Sequence, residues 1–189
     1  LELKKGNVIN LGVGIPETVG KIAEEEGFLE EIYLSVETGP TGGIPIGGIA
    51  FGGAINADSI IPTAEQFDAY NGGALDMAIL GLAEVDKDGN VNVSKFGSRV
   101  TGPGGFINIT QSTSKIIFVG TFTTNNLKEQ FNDGKIAIEH EGEKQKFVDK
   151  VEQITFSGKQ ALKNGQEVYY VTERCVFKLE DKGPTLIEI

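Results

Sequence analysis

Three times in this chain a run of β-branched and apolar residues stops at a cluster of glycines, and that junction constrains the fold more than any other feature. Asn7–Leu11 ends at Gly12-Val13-Gly14-Ile15-Pro16, Glu31–Val36 ends at Glu37-Thr38-Gly39-Pro40-Thr41-Gly42-Gly43, and a third run ends at Val100 before Thr101-Gly102-Pro103-Gly104-Gly105. Short runs bounded by Gly and Pro read as buried strands, because those residues forbid a helix from starting at once. After the first junction, Pro16 opens a helix through Glu26, since Pro is tolerated at a first helical position, and Gly27 stops it. Strand, glycine loop and helix in succession predict an α/β chain with an open, mainly parallel sheet and flanking helices. Glycine loops at strand carboxyl ends then lie where ligands of such sheets bind.

Glu37 gains its interest from that position: one carboxylate at a strand end, at the mouth of a glycine-rich loop. Elsewhere such a residue is ordinarily a solvated loop glutamate. Loops rich in Gly let the backbone approach a ligand and aim N–H groups at phosphate or at a developing oxyanion. Further along, Ala64–Tyr70 reads as a short helix, and Met77–Leu82 and Ile116–Val119 read as buried strands. From Lys135 the text becomes charged and alternating, through Lys135–His140 and Lys146–Val151, which predicts antiparallel strands with one wet face supporting the parallel core.

Several chemistries are disfavoured by composition. A formal net charge of −10 argues against nucleic acid, which requires basic patches. The single Cys175 forms no internal disulfide and reads as a small core residue, while His140, the only histidine, lies in an acidic hairpin; no zinc site has enough ligands. Asp86-Lys87-Asp88-Gly89-Asn90 lacks the distal Glu of a calcium loop, since position 97 is Gly97, and reads as a hairpin turn. Glu17 stands where a dinucleotide fingerprint needs its third glycine. No apolar run approaches the roughly 20 residues that span a bilayer. A reduced, cytoplasmic setting is expected.

Taken together, the three junctions resemble the glutamate-dependent coenzyme A transferases of the acetate, propionate and 3-oxoacid type. Gly12-Val13-Gly14-Ile15-Pro16 resembles that family's Leu-Gly-Ile-Gly-Ile-Pro opening, Glu37-Thr38-Gly39 its Glu-x-Gly motif, and Gly102-Pro103-Gly104-Gly105 its G-x-G-G loop. Gly72–Gly81 and Val85–Asn92 fill the intervening order, so the likeness covers nearly the whole chain. Thr38 departs from the pattern, as many relatives carry Asn there. The chain opens on Leu1, has its only Met at Met77 and closes on an alternating run, Thr185–Ile189, so residues 1–189 are expected to form a single CoA-transferase-like domain cut from a longer chain, the half that carries the glutamate.

The resemblance implies that Glu37 is the nucleophile in a ping-pong exchange of coenzyme A between acyl-CoA and small carboxylic acids, with coenzyme A as a substrate and no permanently bound cofactor. It implies oxyanion or CoA contacts from Gly104 and Gly105 first, then Gly12 and Gly14, and further such contacts from Gly102, Gly39 and Asn90. Asn92 and Gln111 are further candidates for orienting a carboxylate or the pantetheine amides. A partner domain or missing N-terminal half and a homo-oligomer are the expected partners. Two other readings stay open: a noncatalytic half that binds coenzyme A or holds an assembly together, and another enzyme on a related scaffold, such as a sugar-phosphate isomerase.

Overall fold

A computed structural model describes residues 3–189. The chain resolves into two compact units, one made of the segments up to Gly81 and Gly104–Ile117, the other of Leu82–Pro103 and Phe118–Ile189.

In the first unit β1 (Val8–Leu11), α1 (Thr18–Glu25), β2 (Tyr33–Ser35), β3 (Pro40–Thr41), β4 (Ile44–Pro45), β5 (Ala54–Ile55), β6 (Ser59–Ile60), α2 (Thr63–Asn71), β7 (Met77–Gly81) and α3 (Phe106–Ser112) follow in order. β1 is paired in parallel on both sides, with Asn10 opposite Ser35 of β2 and opposite Ala78 of β7. Strands covered on both faces need apolar residues throughout, which is why Ile9, Leu11, Leu34, Val36 and Met77–Leu80 are all buried. The chain leaves β1 through α1 to reach β2 on one side and returns through α2 to β7 on the other. The winding therefore reverses at β1, and open α/β sheets bind ligands at the carboxyl ends of strands at such a reversal. β2 then turns back into antiparallel β3, which pairs with β6.

The first helix begins as a single 3-10 turn, Ile15–Glu17, with Pro16 inside it, and stops where Gly27 takes φ +66°. Gly20 lets α1 approach the sheet, since a Cβ there would stand 3.2 Å from Leu34 Cδ1.

The second unit is built around aromatic packing. Phe118 stacks on Tyr170 at 5.6 Å between ring centroids and meets Phe156 edge-on at 5.0 Å. An antiparallel meander, Glu167–Val171, Val176–Glu180 and Gly183–Glu188, carries Tyr170 into this core. Three sequence expectations change here. Lys135–His140 pairs with Lys128–Asn132 in a hairpin exposed on both faces, with only Ile138 half-buried, so it supports no core. Its partner is chosen locally, because Asp133 and Gly134 adopt positive φ and close a tight turn, and alternation alone does not say what covers a face. Within 146–151 only Phe147–Val148 is a strand, and it pairs in parallel, not antiparallel, with Glu84–Asp86. Cys175 is a half-buried turn residue whose Sγ lies 3.4 Å from Thr172 Oγ1, because the chain reverses there between two strands.

Candidate active site

The backbone that presents Glu37 is a tight turn at the end of β2. Gly39 N–H donates to the Val36 carbonyl at 3.1 Å, which puts Glu37 at the first corner of the reversal. Only glycine fits at position 39, since φ is +129° and a Cβ would fall 2.0 Å from the Ile61 carbonyl oxygen. The turn forces the strand to end and leaves Glu37 half-buried. Burial pushes its carboxyl above the ordinary carboxylate range. Among the described residues, no N–H or O–H group donates to that carboxylate.

Gly105 is the residue the fold brings against it. A Cβ built on Gly105 would lie 2.3 Å from Glu37 Oε2 and 2.6 Å from Cζ of Phe67, so the bare Cα is what gives both groups room. Gly105 has φ −79° and ψ −2°, values that any residue adopts; space, not conformation, requires glycine. Its neighbours reverse that logic. Gly102 and Gly104 have φ +77° and +54° with open space around them, so conformation alone selects glycine there.

Most of the other anticipated N–H donors are already engaged. Gly12 N–H donates to the Ile79 carbonyl at 2.9 Å as part of the sheet. Gly14 N–H donates to Glu17 Oε1 at 2.8 Å, and Glu17 Oε2 accepts from Gly48 N–H at 3.2 Å. An internal carboxylate thus occupies the Gly14 amide that the first glycine loop was expected to offer an oxyanion or a phosphate. Gly39 N–H is spent in its turn, and Gly102 N–H donates to the Ser94 carbonyl at 3.1 Å. By contrast, Gly104 and Gly105 have N–H groups with no protein acceptor among the described residues.

The two asparagine candidates of the second unit are also engaged. Asn90 Nδ2 donates to Asp86 Oδ2 at 3.1 Å, while its Oδ1 accepts from Gly158 N–H at 3.1 Å, so this side chain ties a turn together and has no amide end to spare for coenzyme A. Asn92 is fully buried, donating to Glu84 and accepting from Ser94 and Lys95. Gln111 is exposed on α3. The residues sequence reasoning missed are those of α2, above all Phe67 beside Gly105 and Tyr70, whose phenol is pushed up by burial and further by the Glu37 carboxylate. Among the described residues no group of three or more His, Cys, Asp and Glu side chains is arranged to hold a metal ion, and no helix is long and apolar enough to cross a membrane.

No family model matches the chain. Along its whole length it is 52% identical, over 194 residues, to the caffeate CoA-transferase of Acetobacterium woodii, and it covers 37% of that protein. It is 50% identical over 188 residues to the acetate CoA-transferase YdiF of Escherichia coli K12, again along its whole length, and covers 35% of it. Among solved structures, the acyl-CoA transferase YdiF of Escherichia coli O157:H7, in a thioester complex with CoA, superposes with a TM-score of 0.91 at 47% identity, over 98% of this chain and 35% of that one. The chain thus spans little more than a third of the length of these relatives.

Proposed function

From the premise that this chain belongs to the coenzyme A transferase family, we propose that it is the glutamate-bearing part of an enzyme that moves coenzyme A between an acyl-CoA and a short-chain carboxylic acid, with Glu37 as the nucleophile. The observation that carries this reading is the Glu37 carboxylate itself. It stands at a strand end where the winding reverses, has no internal donor among the described residues, and lies against a glycine whose missing side chain makes its space.

The chemistry needs no general base, because the ionised carboxylate carries no proton that must be removed before it attacks, although burial raises its carboxyl above the ordinary value. A carboxylate oxygen of Glu37 attacks the thioester carbonyl carbon; the carbon–sulfur bond breaks, leaving a mixed anhydride and a free CoA thiolate. The thiolate then attacks the glutamyl carbonyl carbon of that anhydride. The first acid departs as its carboxylate, and Glu37 is left as a γ-glutamyl CoA thioester. An incoming carboxylate runs the same two steps in reverse, leaves as its CoA ester and restores Glu37. Each addition develops an oxyanion, and the N–H groups of Gly104 and Gly105 are the donors we assign to it; loss of one such donor typically costs about 100- to 1000-fold in rate.

Glu37 is half-exposed, and water weakens electrostatic stabilisation of that kind. The reading therefore includes a partner domain that closes the cleft and supplies the acyl pocket, in a cytoplasmic, oligomeric enzyme. Intact mass after incubating the full-length protein with acetyl-CoA tests it: a covalent CoA adduct is expected, and peptide mapping after borohydride reduction is expected to place it at residue 37. No adduct with several short acyl-CoAs, or one at another residue, refutes the assignment.

A further inference from the structure

The buried face of α2 is polar, and every bond it makes toward β2 ends on a residue flanking Glu37. Gln66 and Tyr70 are only 3% and 2% exposed. A helix that buries an amide and a phenol against a sheet, where Leu or Phe would pack without desolvating polar groups, holds them there for their hydrogen bonds. Tyr70 Oη donates to Ser35 Oγ at 2.9 Å, and Ser35 Oγ donates in turn to the Ile9 carbonyl at 3.2 Å. Gln66 Nε2 donates to Tyr70 Oη at 2.8 Å and to the Val36 carbonyl at 3.4 Å. On the other side of the turn, Thr63 Oγ1 donates to the Thr38 carbonyl at 3.2 Å. Positions 63, 66 and 70 share one helical face. Between them they grip residues 35, 36 and 38.

Asn10, within β1, joins the same cluster by donating to Tyr70 Oη at 3.2 Å, and its own Oδ1 is a buried polar atom with no partner among the described residues. Polar burial is thus accepted even where it is incompletely satisfied. Phe67, on the adjacent position of the helix, packs edge-on to Tyr70 at 5.9 Å and reaches Gly105, the residue in contact with the Glu37 carboxylate. One helix therefore sets both the backbone that carries Glu37 and the wall beside its reacting oxygen.

We infer that Thr63, Gln66 and Tyr70 are positioning residues for Glu37, a polar jig on α2 that holds the strand-end turn so that the carboxylate oxygen is aimed at the face of the thioester carbonyl carbon. This rests on Glu37 being the nucleophile. None of the three touches the reacting atoms in this account, so their removal is expected to change how fast Glu37 reacts and not how tightly substrate is held.

The test uses the full-length protein carrying Tyr70→Phe, Gln66→Leu or Thr63→Val, each close in shape to the original side chain. Melting temperature, KM for acetyl-CoA, kcat for exchange with propionate, and the single-turnover rate of adduct formation are measured together. The expected result is a fall of about 10- to 100-fold in kcat and in the adduct rate with KM unchanged, the scale of a displacement of up to about 1 Å. The Gln66→Leu/Tyr70→Phe double variant is expected to lose no more than the worse single one, because the two act through one chain of bonds. Thr63 is exposed, so Thr63→Val keeps the test decisive should either core variant fail to fold. Lowered melting temperature with kcat within about two-fold of the parent in every folded variant overturns the inference and leaves these bonds as core structure alone. A parent protein that forms no adduct at Glu37 overturns the nucleophile assignment and the jig with it, whereas a parent adduct with unaffected variants removes only the jig.

Discussion

Replacing Gly105 with alanine separates the geometry of the site from the stability of the fold. Alanine suits the backbone at that position, since φ −79° and ψ −2° are ordinary for any L-residue. Its methyl group, however, would stand 2.3 Å from Glu37 Oε2 and 2.6 Å from the Phe67 ring, against the 3.4 Å at which ordinary contact begins. The carboxylate must retreat by about 1 Å, and a misplacement of that size costs about 100-fold in rate. Both obstructing groups are the outer ends of side chains and not backbone, so the change is expected to cost stability within the about 1–3 kcal/mol typical of overpacking. The assay is CoA exchange from acetyl-CoA to propionate together with adduct formation at residue 37, read beside a denaturant titration. Expected is a loss of about 100-fold in kcat with a small change in unfolding midpoint. Wild-type kcat in a folded Gly105→Ala protein refutes the claim that the Glu37 carboxylate works from its place against Gly105.

Because burial raises the Glu37 carboxyl, the folded state favours its neutral form, and the ionised form opposes folding at neutral pH. Glu37→Gln is therefore expected to abolish exchange yet melt higher than the parent at pH 7, with the gap closing as pH falls through the raised pKa toward about 4.3; a lower melting temperature at pH 7 contradicts the sign of the shift. Glu17→Ala strips the partner from Gly14 and Gly48 N–H, and circular dichroism is expected to register a loss of about 1 kcal/mol, or about 2–4 °C in melting temperature; no change means that the bridge between those two loops is dispensable. Tyr170→Phe leaves the Gly89 carbonyl in the core of the second unit without its 2.6 Å donor. Chemical denaturation is expected to show a loss of about 1–3 kcal/mol with little effect on adduct formation, and an unchanged midpoint means that the bond contributes nothing net.

Local chemistry made much of this molecule legible in its sequence. Gly12, Gly27 and Gly39 mark strand and helix ends where the backbone must turn, and the apolar runs at Ile9, Leu34 and Met77–Leu80 announce strands buried on both faces, because backbone conformation and burial act through neighbours in the chain. The same reasoning placed Glu37 at a strand end and predicted the Asp86–Asn90 hairpin turn. Tertiary packing alone decided what those residues touch. Gly14 reads as a free donor in the sequence, but its N–H is bonded to Glu17, and the Asn90 amide that reads as a ligand group is bonded to Asp86 and Gly158. Gly104 and Gly105 are indistinguishable as letters, yet one is glycine for its dihedral angle and the other for the oxygen beside it. The 63, 66, 70 spacing of α2 was present in the sequence, but a polar helical stripe ordinarily faces water. Only the sheet beneath it, with Ser35, Val36 and Thr38 in reach, turns that stripe inward, because hydrogen-bond partners distant in sequence are chosen by the fold and not by the helix that carries them.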